Sequence, residues 1–186
     1  MSNRKVERMV GLAILTAIVV VLQLLGSFIK IGPVSITLVL IPIVVGAAVY
    51  GPLAGAYLGG VFAVVVLCQP DTSSFYQISV LATVVTVLAK GILCGWVSGL
   101  AYRALARKNQ WAAILVAAVL APVLNTGVFF LGCRLFFWEA LGQWGAGNAM
   151  KYLITVVIGV NFLGELGMNL VCSPVILRIL KALHRA

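Results

Sequence analysis

Long apolar runs alternate along the chain with short connections that are polar or rich in glycine and proline. A transmembrane helix needs roughly 20 mainly apolar residues to cross a hydrocarbon core about 30 Å thick. The pattern predicts six such helices, at residues 9–28, 34–50, 53–67, 79–102, 111–132 and 149–180. We therefore expect an all-α polytopic bundle, with residues 1–186 forming a single integral membrane domain in the lipid bilayer.

The second and third predicted helices are short for full crossings. Gly51 and Pro52 connect them tightly, so a re-entrant hairpin is the alternative interpretation. The first run follows Arg4, Lys5 and Arg8, as a signal peptide would. It is longer than the apolar core of a signal peptide and lacks a clear small-residue cleavage site, so we predict that it is retained as helix 1.

Composition supports the membrane interpretation. Hydrophobic residues make up 63% of the chain and charged residues only 9%, which is far from the composition of a soluble domain. The net charge of +9 does not indicate nucleic-acid binding, because the basic residues lie at the edges of the apolar runs and form no stripe with aromatic residues.

The basic residues instead predict the orientation of the bundle, because cytoplasmic loops carry an excess of Lys and Arg. Three basic residues occur in each of three segments, the N-terminus, the connection between helices 4 and 5, and the C-terminal end: Arg4, Lys5, Arg8, Arg103, Arg107, Lys108, Arg178, Lys181 and Arg185. The opposite side carries only Lys30, Arg134 and Lys151. Both termini are therefore expected in the cytoplasm, whether helices 2 and 3 cross fully or form a hairpin.

Several kinds of chemistry are not indicated. The four cysteines are widely spaced without a Cys-x-x-Cys pair, and the single histidine is His184, so neither a metal site nor a disulfide framework is predicted. No phosphate-binding loop, zinc-protease motif or nucleophile elbow occurs. With four acidic residues in the chain, we expect no catalytic residues and no cofactor.

Two ionisable residues, Lys90 and Glu165, fall in the middle of predicted helices at similar depths. Each costs roughly 2.5–3.5 kcal/mol at a helix centre, so something must offset that cost. One interpretation is a structural ion pair between helices 4 and 6, and the other is a polar binding pocket. Asn161 and Asn169 flank Glu165 at four-residue spacing on one helix face, which favours the pocket. The candidate substrate-binding residues are Lys90, Asn125, Arg134, Asn161, Glu165 and Asn169.

Aromatic residues gather in the predicted outer loops, at Phe75, Tyr76 and Trp138 among others. They are interpreted either as an interfacial belt or as a lid over a ligand. Small residues recur at four-residue spacing, which allows helices to pack closely. They are Ala13 and Ala17 in helix 1, Gly55 and Gly59 in helix 3, and Gly91, Gly95 and Gly99 in helix 4.

Two stretches carry a family resemblance. Residues Ala13 to Ala17 have the form Ala-x-x-x-Ala, and the phrase from Ile41 to Gly46 runs into Tyr50-Gly-Pro-Leu-Ala-Gly55. The first looks like the coupling motif, and the second is similar to a phrase in many members, of the S components of energy-coupling factor (ECF) vitamin transporters. The chain resembles these substrate-binding subunits over nearly its whole length.

This resemblance implies a multi-pass protein of the bacterial plasma membrane that binds a vitamin or similar micronutrient at its outer side. The loop from Lys30 to Ser35 would act as a gate. The face of helix 1 with Ala13 and Ala17 would dock on a membrane coupling protein, the T component, which carries two ATPase subunits. Separate ATPases would explain why the chain has no phosphate-binding loop.

The substrate is less well defined by the sequence. If Glu165 does not fully neutralise Lys90, Arg134 or Lys151, the outer half of the bundle is electropositive and favours an anionic ligand. Pantothenate is then the first candidate. The aromatic residues keep riboflavin in consideration, and cobalamin is a further alternative. Two other classes stay open: a proton-coupled secondary transporter that acts as an oligomer, with Glu165 as a proton relay, and a membrane scaffold without transport activity.

Overall fold

The structure, a computed structural model, describes residues 3–26, 30–31, 34–35, 38–145 and 147–183. These residues form an all-α bundle with one short β-hairpin. Its elements are α1 (Asn3–Gly26), β1 (Lys30–Ile31), β2 (Val34–Ser35), α2 (Leu40–Tyr50), α3 (Pro52–Leu67), α4 (Ser73–Tyr76), α5 (Val80–Ala106), α6 (Gln110–Phe136), α7 (Trp138–Trp144), α8 (Ala149–Tyr152) and α9 (Val160–Leu183). A 3₁₀ turn at Pro70–Thr72 precedes α4, and a π-helical stretch at Leu153–Gly159 joins α8 to α9.

The long helices α5 and α6 are antiparallel and pack extensively against each other, and α3 packs on the other side of α5. We call the end where α5 begins and α6 ends the upper end of the bundle, and the opposite end the lower end. Asn109 caps α6 at the lower end, where its side-chain oxygen accepts hydrogen bonds from the backbone N–H groups of Trp111 (2.9 Å) and Ala112 (3.3 Å).

Glycines bring α3 and α5 into backbone contact, as the four-residue spacing of small residues predicts. A Cβ atom placed on Gly59 would collide with the carbonyl oxygen of Gly91, and one on Gly95 would collide with that of Gly55. One turn lower, a Cβ on Gly99 would lie 2.8 Å from the Cα of Pro52. The prediction of close helix packing at these glycines is confirmed.

Within the described residues, the apolar interior consists of two clusters. The larger one joins α1, α2, α3, α5, α6 and α9, and Phe62, Ile114 and Ile176 are among its fully buried side chains. The smaller one lies at the upper end, where Phe137 and Leu141 cluster with Phe75 of α4 and Ala149 of α8. The polar residues considered below lie on the helices that join these two clusters.

Helix 2 begins later than the sequence analysis predicted. The expected helix at 34–50 is α2 at Leu40–Tyr50, and Val34 and Ser35 instead form a strand that pairs antiparallel with Ile31 and Lys30. The β-branched side chains at Ile31 and Val34 favour extended backbone. At 1.5 Å per residue, α2 is about 16 Å long, roughly half of a hydrocarbon core.

Other boundaries also differ. Helix α5 continues to Ala106 and α6 to Phe136, so Arg103 and Arg134 lie in terminal helical turns rather than in loops. A long basic side chain at a helix end extends its charge towards water while its stem stays among apolar groups, which explains why these helices do not stop before the arginines. The predicted last helix is divided into α8, the π-helical stretch and α9.

Three helices in the described part of the chain, α1, α5 and α6, are long and apolar enough to cross a membrane. Helix α3 becomes a fourth if it is counted together with Pro70–Tyr76, from which it is separated by a 74° bend. The membrane character of the bundle is therefore clear, while six full crossings stay a prediction.

Candidate functional site

A buried carboxylate and a buried amide meet between α6 and α9. The Nδ2 group of Asn125 donates to the Glu165 carboxylate, at 3.2 Å from Oε2 and 3.5 Å from Oε1. Asn125 lies one turn above Pro122, on the side of α6 that faces the bundle interior. Because a carboxylate inside a bundle is costly without partners, this hydrogen bond stabilises Glu165 in place.

A second amide lies one turn below Glu165 on α9. Asn169 Nδ2 donates to the Glu165 backbone carbonyl at 2.8 Å, and the Ser173 hydroxyl donates to the Asn169 carbonyl at 2.8 Å. The fractional exposures of Asn125, Glu165 and Asn169 are 5%, 3% and 1%. We call these three residues the polar cluster. The third member of the predicted stripe, Asn161, has a side chain outside the described residues.

The ammonium group of Lys90 faces aromatic rings. It lies 4.9 Å from the ring centroid of Phe129 and 5.6 Å from that of Phe62, within the range of cation–π attraction. Among the residues that the structure describes, it donates no hydrogen bond, and its side chain is only half-buried. Lys90 therefore has hydrogen-bonding capacity left for a ligand.

Helix register places Lys90 beside the polar cluster. The Cys94 thiol contacts the backbone carbonyl of Ala121 at 3.2 Å. One turn further up, α5 carries Lys90 and α6 carries Asn125, so these two residues lie at the same level of the antiparallel pair. The Glu165 carboxylate is within electrostatic range of Lys90. The structure thus brings Lys90, Asn125, Glu165 and Asn169 to one region of the bundle.

The polar cluster has two acceptors to spare. The side-chain oxygens Oδ1 of Asn125 and Asn169 are buried and have no hydrogen-bond partner among the described residues. Such groups are uncommon in folded proteins, because a buried acceptor without a partner costs free energy. The two oxygens can therefore accept hydrogen bonds from a ligand that enters the bundle.

Aromatic side chains close the upper end above this region. The Phe75 ring packs edge to face on Phe137 (centroids 5.2 Å apart), Trp144 (5.5 Å) and Phe129 (5.7 Å). We call these four residues the ring cluster. Since Phe129 also contacts Lys90, the ring cluster reaches from Phe75 on α4 to the candidate site.

The other predicted outer residues lie around the ring cluster. The Tyr76 hydroxyl donates to the Leu67 carbonyl at 2.8 Å, and the Arg134 guanidinium lies 4.4 Å from the Trp138 ring. Arg134 is exposed in the last turn of α6, about one and a half turns above Phe129. Among the described residues it contacts Trp138 and not the polar cluster. Lys30 and Ser35 pair in the hairpin, and their side chains lie outside the described residues.

Family comparison decides the class of protein. The family model described as "ECF transporter, substrate-specific component" matches residues 7–177. The chain belongs to the ECF transporter substrate-specific component family. Comparison with curated proteins and with solved structures gave no match. The resemblance deduced from the sequence is confirmed.

As an S component, the protein is a multi-pass membrane subunit of a transporter and not an enzyme. S components work with a T component and ATPases. In this S component, Ala13 and Ala17 lie exposed on one side of α1, together with Met9 and Ile14. That side of α1 is thus not covered by the other described helices. Its role as the coupling surface stays a prediction.

Sequence reasoning missed a buried amide pair in this S component. Gln23 near the top of α1 donates from Nε2 to Gln69 Oε1 (2.9 Å), and Gln69 Nε2 donates to the backbone carbonyl of Gln23 (3.0 Å). Both side chains are buried. A glutamine in an otherwise apolar helix could have indicated such a partner, but the sequence does not show which residue it meets.

Proposed function

We propose that this S component is the high-affinity substrate-binding subunit of an ATP-driven ECF importer in a bacterial plasma membrane, and that its substrate is a B-type vitamin. The observation that carries the proposal is the meeting of Lys90 with the polar cluster inside the bundle. Ionisable and amide side chains in a membrane helix are expensive and are usually functional. Substrate enters from the upper end and binds between α5, α6 and α9.

We propose that residues 1–186 form one integral membrane domain with six helical segments in the membrane and both termini in the cytoplasm. The lower end then faces the cytoplasm. Basic residues at that end include Arg8, Arg103, Arg107 and Arg178, which are all exposed. Their excess over the basic residues at the upper end supports this orientation.

Pantothenate is our first candidate substrate. A carboxylate ligand can pair with the Lys90 ammonium, which faces rings rather than hydrogen-bond acceptors among the described residues. Riboflavin and cobalamin are the alternatives, because the ring cluster offers aromatic surface for stacking. In this proposal Phe75, Tyr76 and Trp138 belong to the lid, and the hairpin with Lys30 and Ser35 is the gate.

The first experiment identifies the ligand. Mass spectrometry of small molecules released from the protein purified in mild detergent should detect a vitamin in stoichiometric amount, and a titration should then give tight binding. A protein that is empty and also fails to bind every vitamin in a panel would contradict the proposal. Uptake that follows the proton gradient instead of ATP would favour a secondary transporter.

The coupling proposal has its own test. We propose that the face with Ala13 and Ala17 docks on the T component, which works with two ATPase subunits. Replacing either alanine by tryptophan should leave vitamin binding intact and abolish uptake, because only small side chains allow close helix contact. Val171→Trp is the control, since Val171 is 73% exposed and lies on a different helix, α9. Normal uptake by the Ala13→Trp and Ala17→Trp variants would refute this role.

A further inference from the structure

Glu165 accepts a hydrogen bond from each of the two amides in the polar cluster. Its carboxylate accepts from Asn125 Nδ2, and its backbone carbonyl accepts from Asn169 Nδ2. The donors of two different helices are thus directed at one residue. In each amide the carbonyl oxygen has no partner among the described residues.

Chemistry fixes the orientation of both amides. A backbone carbonyl can only accept, so Asn169 must turn its NH₂ group towards it. An ionised carboxylate also can only accept, so Asn125 must do the same towards Glu165. Swapping nitrogen and oxygen in either amide would place two acceptors against each other. The orientation of the Asn125 amide therefore follows from the Glu165 carboxylate, and that of the Asn169 amide follows from the backbone carbonyl of residue 165.

These two oxygens are the unpartnered buried acceptors described above. Both residues are more than nine-tenths buried. The Lys90 ammonium, which is a donor without a hydrogen-bonded partner among the described residues, lies level with Asn125. The region therefore holds two unpartnered acceptors and one cation. A complementary ligand has both hydrogen-bond donors and an anionic group.

We propose that the Glu165 carboxylate is a positioning group that holds the Asn125 amide with its carbonyl oxygen available to a ligand, in the same cluster as that of Asn169, so that the S component selects an organic acid bearing hydroxyl or amide N–H donors. This inference rests on the proposed vitamin-binding function. It adds to that function a reason why the hydroxyl or amide N–H donors of the ligand are recognised. A site built around buried acceptors discriminates strongly against an analogue without donors, because the acceptors would stay unpaired.

The test compares two probes on the full-length protein in detergent, by calorimetric titration. One probe is pantothenate. The other is its dideoxy analogue, N-(3,3-dimethylbutanoyl)-β-alanine, which keeps the carboxylate and the amide but lacks both hydroxyl groups. The parent protein should bind pantothenate about tenfold more tightly or better, since each lost hydrogen bond leaves a buried acceptor unpaired.

Three variants separate the roles. In Glu165→Gln the new amide can donate to Asn125, which lets the Asn125 amide turn over, so the preference for pantothenate should shrink while the analogue still binds. Asn125→Leu should shrink it further. Lys90→Met should weaken both probes by a similar factor and preserve the preference. A purely structural role for Glu165 would instead weaken both probes equally.

The outcomes distinguish the two proposals. If pantothenate binds and the preference is the same in Glu165→Gln, Asn125→Leu and the parent, the positioning role is wrong and the vitamin-binding function stands. If the co-purified ligand lacks an acidic group or lacks donors, the inferred substrate class is wrong. If no vitamin binds at all, the proposed function itself fails. Should Glu165→Gln not fold, Asn125→Leu carries the test.

Discussion

The contact between α3 and α5 gives a sharp prediction, because two adjacent glycines of α3 differ only in what surrounds them. A Cβ on Gly59 would collide with the Gly91 carbonyl oxygen and lie 2.7 Å from the Gly91 carbonyl carbon. A Cβ on Gly60 would meet only the Ile92 Cγ1 atom, at the ordinary contact distance of 3.7 Å. Gly59→Ala and Gly60→Ala are therefore a matched pair.

The expected magnitude follows from this difference. Both substitutions gain the same helix propensity, about 1 kcal/mol from glycine to alanine, so that gain cancels between them. Only Gly59→Ala forces two backbones apart, and overpacking of this kind typically costs about 1–3 kcal/mol. We expect Gly59→Ala to be less stable than Gly60→Ala by that amount, which is roughly a 5- to 150-fold difference in the unfolding equilibrium.

The assay is equilibrium unfolding of the two variants and the parent in mixed micelles, followed by circular dichroism. Gly91→Ala on the partner helix should behave like Gly59→Ala, because its Cβ would collide with the Gly59 carbonyl. Equal stability of Gly59→Ala and Gly60→Ala would refute the backbone contact between α3 and α5 and the reasoning drawn from it.

Three further predictions concern the upper end. Gln69→Leu should leave the buried Gln23 Nε2 group without its acceptor, and Gln23→Leu should leave Gln69 Oε1 without its donor while the bond to the backbone carbonyl of residue 23 stays. Each substitution should cost about 1–3 kcal/mol, and the two together less than their sum; additive losses in a double-mutant cycle would contradict the hydrogen-bonded pair. Phe75→Ala should lower the stability by about 2 kcal/mol or more, because it removes three ring contacts. Phe136→Ala is the control and should cost less, because it removes one ring contact. Equal losses of thermal stability in detergent would count against the ring cluster. The exposed Cys68 should react with a membrane-impermeant maleimide in intact cells, with Cys68→Ser as control, and labelling only after permeabilisation would reverse the proposed orientation.

The bundle and its close glycine contacts could be predicted from the sequence because they depend on local patterns. Apolar runs identify membrane helices, and four-residue spacing places Gly91 and Gly95 on one side of α5. The start of α2 could not be found in this way. Val34 and Ser35 continue the apolar run, but their pairing with β1 depends on a contact between separate segments.

The candidate site was predicted in part. Depth and spacing identify Lys90, Glu165 and Asn169 as unusual, since ionisable and amide side chains are rare in membrane helices. Their partners depend on helix packing, which spacing alone does not determine. The Glu165 carboxylate is hydrogen-bonded to Asn125, and the Lys90 ammonium faces Phe129. That Arg134 lies on Trp138, away from the polar cluster, follows from the extension of α6, which the sequence pattern did not indicate.

The π-helical stretch at Leu153–Gly159 has a consequence for how the chain tolerates changes in length. A π-helix bonds each N–H to the carbonyl five residues back instead of four, so it holds more residues per turn than an α-helix. Deleting one residue there, such as the exposed Thr155, can convert the stretch to α-helix and leave Glu165 facing Asn125. The same deletion in the regular helix α5 would rotate the residues on one side by about 100° and turn Lys90 away from its rings. The stretch thus allows the connection above α9 to lose a residue while the polar cluster keeps its register.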